Sequence, residues 1–162
     1  MTTPTFSTNP DAMTMQEMEE FLREPRLAKL ATLKADGSPH LTPLWFEYAD
    51  GEFFTTVEAN TVKRWNLERD PRVAICIEND SPPYQAVMAE GVATLSIEGE
   101  KEVLERQAIR FLGEEKGRAM FESVKHGHGR LVRIKPDKII TFDRRKRQRK
   151  LWGSPDPGEF EA

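Results

Sequence analysis

The sequence predicts a mainly β fold, a six-stranded antiparallel barrel with three or four α-helices outside it. Three observations carry that expectation. Apolar segments are joined by short Gly-containing turns at Ala35-Asp36-Gly37 and Asp50-Gly51. Such turns suit hairpins and are far too short for the crossover that a parallel sheet needs. Val73, Ile75 and Ile77 alternate with Ala74 and Cys76 at the two-residue period of a strand. Neither a G-x-G-x-x-G nor a G-x-x-x-x-G-K-[ST] pattern occurs, which argues against a doubly wound nucleotide-binding sheet.

Each element follows from local pattern. Residues 1–13, rich in Thr, Pro and Ser, read as a flexible N-terminal arm. Thr14 and Glu17 have the spacing of a capping box, Met15, Met18, Phe21 and Leu22 recur at helical intervals, and Pro25 ends that helix. Strands are expected over 27–34, 40–48 and 53–57, with a helix capped by Asn60 or Thr61 running to Arg69 before Pro71. The alternating run at 73–77 is the fourth strand. Residues 84–97 form a long fifth strand, with Glu90-Gly91 as a bulge where it bends. Helices over 98–112, with Leu104, Ala108, Phe111 and Leu112 as its stripe, and over 115–124 precede a sixth strand at 130–143. One domain thus spans residues 14–152, and 153–162 reads as a loose tail rich in Pro, Gly and acid.

Composition removes several function classes. A mean hydropathy of −0.62 and no long apolar stretch argue against a membrane-spanning helix. The single cysteine, Cys76, excludes a disulfide framework and a multi-thiolate metal cage. No basic stretch followed by an apolar run opens the chain, so a cytoplasmic setting is expected. The net charge of −3 predicts no general pull toward nucleic acid. One cationic run, Arg144, Arg145, Lys146, Arg147, Arg149 and Lys150, stands apart from that balance. It lacks interleaved aromatics for base stacking and reads as a solvated face or tail.

The chain offers no self-contained catalytic set. His126 and His128 sit among glycines, which favours a loop over a zinc site with its three or four ligands. His40 lies at a strand edge, and Cys76 lies in an apolar run with no base nearby. There is no G-x-S-x-G elbow. An enzyme built this way takes its reactivity from a cofactor. The informative segment is 55–64, where a strand end meets a helix start carrying Lys63 and Arg64. Free amides, the helix dipole and Lys63 would favour an anion there, and an ordinary capped helix with solvated cations is the alternative. Upstream, Thr42, Leu44 and Phe46 share one strand face, and Pro43 and Trp45 share the other. One set must fill the barrel; the other would border a groove suited to a ring system.

The segment 61–71, TVKRWNLERDP, is similar to a K-x-x-N-L-x-x-D-P run, accompanied by a D-G-x-P turn at 36–39 and an A-E-G-x-A strand at 89–93. On these motifs the chain resembles the pyridoxamine 5′-phosphate oxidase-like superfamily of flavin-binding split barrels. Within it, the chain resembles the branch of deazaflavin (coenzyme F420)-dependent oxidoreductases. The resemblance covers about residues 21–97 well and the last strand more loosely. It implies a homodimer with two cofactor sites at the subunit interface and a small organic substrate reduced by hydride transfer. Lys63 would meet the cofactor's phosphate, with Val57, Asn60, Thr61 and Arg64 around it, while Pro43, Trp45 and Thr56 lie along the ring and polyol. Tyr84 and Val87 would approach from the second subunit. No side chain is assigned as a proton donor. Many relatives hold the phosphate with an arginine where this chain has Thr61. One lysine suits the phosphodiester of coenzyme F420 better than the dianionic monoester of FMN. FMN is the alternative cofactor, and a flavin or haem carrier is the alternative to an enzyme.

Overall fold

The computed structural model describes residues 3–146. Arg147, Arg149 and Lys150 of the basic run, and the tail at 153–162, lie outside the described residues. The elements in chain order are β1 (Thr5–Phe6), α1 (Met15–Arg23), β2 (Ala28–Leu33), β3 (Pro39–Leu44), β4 (Glu47–Ala49) and β5 (Glu52–Val57). They continue with α2 (Val62–Arg69), β6 (Arg72–Glu78), β7 (Gln85–Ser96), α3 (Glu100–Leu112), α4 (Glu114–Val124) and β8 (Arg130–Asp143). The sheet order is β3-β2-β6-β7-β8-β5-β4, antiparallel throughout, with β1 added in parallel to β8. The two edge strands, β3 and β4, are separated in the chain by Trp45 and Phe46 alone. Two residues bridge only about 7–10 Å, so the sheet curls until its edges meet.

The sheet has eight strands instead of six, and both additions have a physical cause. The expected strand over 40–48 breaks because side chains take its carbonyls out of the ladder. Thr55 Oγ1 donates to the Trp45 carbonyl at 2.7 Å, and Arg110 Nη1 donates to the Phe46 carbonyl at 2.9 Å. The other addition comes from the arm. β5 covers only Arg130–Ile134 of the fourteen-residue β8, leaving an edge of backbone donors and acceptors to be satisfied. Thr5 and Phe6 pair with Lys138 and Ile139, Ser7 N donates to the Ile139 carbonyl, and Met13 N donates to Thr141 Oγ1 at 2.9 Å. The described part of the arm is therefore tied down along the sheet, a correction to its reading as flexible.

Alternation decides what fills the barrel. Ala28, Leu30, Phe53, Val57, Val73, Ile75, Ile77, Val87, Val132, Ile134 and Ile139 form one cluster with Phe46, and Met18, Phe21 and Leu22 of α1 close it. The capping box on α1 is present in both directions. Helix α3 buries Ala108 of the expected stripe but turns other residues inward in place of Leu104, Phe111 and Leu112. Its buried residues are Glu100, Val103, Gln107 and Ala108, with Gln107 Nε2 donating to the Phe54 carbonyl at 3.1 Å. Phe111 instead stacks on Trp45, with ring centroids 5.3 Å apart.

β7 bends where its register to β8 shifts, at Glu90/Gly91. A Cβ on Gly91 would lie 2.1 Å from the Lys135 carbonyl oxygen and 2.9 Å from Pro136 Cα. Both obstacles are backbone, so neither side can yield without opening the ladder. Gly91→Ala is expected to destabilise the fold by about 3 kcal/mol, the upper end for an added methyl in a packed interior. Urea unfolding would measure it, and an unchanged midpoint would contradict this account of the bulge.

Candidate functional site

Where β5 ends, the starts of α2 and α3 and the loop before β8 converge on a cleft of about 420 Å³. Thr56, Val57, Glu58, Asn60 and Lys63 line one wall. Glu100, Lys101, Leu104, Met120, Val124 and the Gly127-His128-Gly129 loop line the other. The first wall arises because the chain leaves β5 through a tight corner into α2. Thr61 occupies the N-cap of α2 in extended conformation, yet its hydroxyl donates backward to the Glu58 carbonyl at 3.0 Å. No side chain caps the helix, so its first amides are left without that partner. Lys63 makes no ion pair among the described residues.

The second wall is held together by a buried acid. Glu100 is 5% exposed, in the first turn of α3, and Lys101 Nζ lies 3.0 Å from its Oε2. The same ammonium donates to the Gly127 carbonyl at 2.7 Å. A side chain at position 129 would have to displace the acid: its Cβ would fall 2.2 Å from Glu100 Oε1. A buried carboxylate is tolerated when paired in this way, and the pairing fastens the loop to α3.

The expected site residues separate into groups. Thr56, Val57, Asn60 and Lys63 come together in the cleft, with Val57 contributing from an otherwise buried position. Arg64 is turned aside: Nε donates to Glu68 Oε1 at 2.9 Å, and Nη1 donates to the Ala59 carbonyl at 3.2 Å. Pro43 lies exposed on β3, away from the cleft lining. Trp45 is occupied by its stack on Phe111 and lines no part of the cleft. Tyr84 is 52% exposed in the turn before β7. Val87 is a correction: it is fully buried in the barrel between Ile77 and Thr141, so its side chain has no surface to offer a second subunit. The outward neighbour on that strand is Met88, which borders an open apolar hollow with Ala31, Leu41, Ala74, Cys76 and Ile140. Burial pushes the Cys76 thiol up from its ordinary value, which disfavours a nucleophilic thiolate.

The described part of the basic run is consumed internally. Arg144 pairs with Asp11, Arg145 with Asp143 at 2.6 Å, and Lys146 with Glu17 at 2.5 Å. The hydrogen bond from Lys146, with the Thr14 amide, holds the Glu17 carboxyl below its usual range. No three His, Cys, Asp or Glu side chains converge as a metal site among the described residues, and no described helix is long and apolar enough to cross a membrane. The Glu100, Lys101 and His128 wall went unread in sequence. Its only local signal was a histidine between two glycines, and the acid that braces it lies 28 positions earlier on another element.

Comparison with known proteins agrees with this architecture. The family model described as pyridoxamine 5′-phosphate oxidase matches residues 14–143. A conserved hypothetical protein from Mycobacterium tuberculosis is 32% identical, with a TM-score of 0.72 over 86% of this chain and 91% of its own. A protein described as an F420 reductase is 18% identical, with a TM-score of 0.61 over 75% of this chain and 94% of its own. The haem storage protein HutZ from Vibrio cholerae is 22% identical, with a TM-score of 0.59 over 75% and 89%. The last two share the fold, at identities too low to carry more. No curated protein matches the chain. With the family match spanning all but the ends of a curled antiparallel barrel, the chain belongs to the pyridoxamine 5′-phosphate oxidase family of split-barrel proteins.

Proposed function

We propose that this protein is an oxidoreductase whose reactive centre is a bound deazaflavin, coenzyme F420, used to reduce a small organic substrate. The observation that carries the reading is the isolation of Lys63. With Arg64 committed to Glu68 and Ala59, one ammonium is left beside the uncapped start of α2. A phosphodiester, with a single negative charge, matches that donor set. A monoester dianion calls for the arginine fork that position 61 lacks. The donors present are therefore compatible with the acidic end of the cofactor. When bound in its reduced form, the deazaflavin would supply the hydride. Lys63, the α2 amides and Asn60 would bind and orient the anion, and Leu104, Met120 and Val124 would exclude water from their side of the cleft.

The homodimer belongs to the same proposal. The outer face of β2, β6, β7 and β8 carries Ala31, Ala74, Cys76, Met88 and Ile140, and no described helix lines the hollow they border. Lys29–Glu78 and Lys138–Glu90 pairs flank it. An apolar centre with charges of both signs at its rim is self-complementary under a two-fold axis. The test is a fluorescence titration of purified protein with coenzyme F420 and with FMN, alongside sedimentation to fix the mass. Tighter binding of the deazaflavin by a species of twice 18.6 kDa is the expected result. Yellow protein that retains FMN through purification would replace the cofactor assignment with the flavin.

A further inference from the structure

We infer that His128 is a second anion-binding group of the cleft, donating to the charged end of the ligand that Lys63 faces. The inference rests on the cofactor reading of the cleft and extends it to the wall built by α3 and the loop. Charge balance is the first argument. Lys63 shares the cleft lining with Glu58 on the exposed rim, and Glu100 is matched by Lys101 at 3.0 Å. The four formal charges cancel, so the cleft has no net positive charge, and a further donor would add to the hold of Lys63 on an anion. Thr56 and Asn60 lie beside Lys63; among the side chains of α3 and the loop, Lys101 is committed to Glu100 and the Gly127 carbonyl, which leaves His128 to donate.

The second argument is how the histidine is held. A slack surface loop leaves its glycines untied. Here the Gly127 carbonyl accepts from Lys101 Nζ at 2.7 Å, and Gly129 lies against the Glu100 carboxylate, which a Cβ there would displace. The Gly129 carbonyl also accepts from Arg130 Nη1 at 2.8 Å. Both neighbours of His128 are fastened, and the imidazole stands between them on the cleft wall. His126, exposed as His128 is, lines no part of the cleft. A buried acid whose ion-pair partner also fixes the Gly127 carbonyl is the kind of support a binding loop requires.

The test compares phosphorylated ligands with their phosphate-free counterparts: FMN with riboflavin, and coenzyme F420 with its deazaflavin lacking the phosphate. In His128→Ala, binding of the phosphorylated member is expected to weaken about tenfold, the scale of one hydrogen bond to a charged group, with its counterpart changed less than about twofold. His128→Gln, which retains an N–H donor, is expected to recover most of the loss. An equal loss for both members, or no loss for either, overturns the inference. Lys63→Ala run in parallel separates the two claims. If it discriminates by phosphate and His128→Ala does not, His128 alone is wrong. If Lys63→Ala fails to discriminate, the cleft reading falls and this inference with it.

Discussion

Lys63→Ala is expected to bind coenzyme F420 about 10- to 100-fold more weakly, or roughly 1.5–3 kcal/mol, the range for a hydrogen bond to a charged group. The size follows from the surroundings. The anion would lose the one cation on its wall, and Arg64 cannot substitute while it is tied to Glu68 and the Ala59 carbonyl. Stability should barely change, because Lys63 makes no ion pair among the described residues. Affinity and unfolding midpoint, measured on the same preparation, therefore separate a binding role from a structural one. Unchanged affinity would place the anion elsewhere.

Arg110→Met is expected to lower stability by about 3 kcal/mol and the unfolding temperature by roughly 6–12 °C. This guanidinium sits between three elements and holds them through main-chain oxygens. It donates to the Phe46 carbonyl at 2.9 Å, to the Leu22 carbonyl at 2.6 Å and to the Glu24 carbonyl at 2.7 Å. Its carbon also lies 5.1 Å from the Phe46 ring centroid and 5.6 Å from that of Phe111. Burial lowers its pKa from the ordinary arginine value, against the opposing pull of Glu47. Methionine preserves much of the volume while stranding three acceptors, so the loss reports the hydrogen bonds. Arg110→Lys keeps the charge but not the fork, and should recover only part of the deficit. Calorimetry on the three proteins checks this. A methionine variant as stable as the parent would refute it.

Both residues show what could and could not be read before the fold was known. Patterns confined to a few neighbours were legible: the Thr14–Glu17 box, the bulge at Glu90-Gly91 and the span of β8 at 130–143. The position of Lys63 at the start of α2 was legible too, because a strand end, a corner and a helix start are consecutive in the chain. Arg110 was not, since its acceptors lie 64, 88 and 86 positions away. Neither was the break at Trp45-Phe46, which Thr55 and Arg110 impose from outside the strand. Val87 was misread through the family pattern. Its paired residue, Ile77, and the inward alternation of β6 already placed it inside. The wall behind His128 depends on α3 meeting a distant loop, which no local period announces.

The join between β3 and β4 has a consequence for tolerance to length changes. Most turns in this chain connect neighbours and could lengthen by looping outward. Trp45 and Phe46 instead link the first and last staves of the cask, so the circumference is set there. A slipped pairing anywhere around the ring would leave two peptide units to span a gap they cannot reach. Insertions at this point would slacken the hoop and release that check, whereas the same residues added at Asp50-Gly51 would leave the girth untouched.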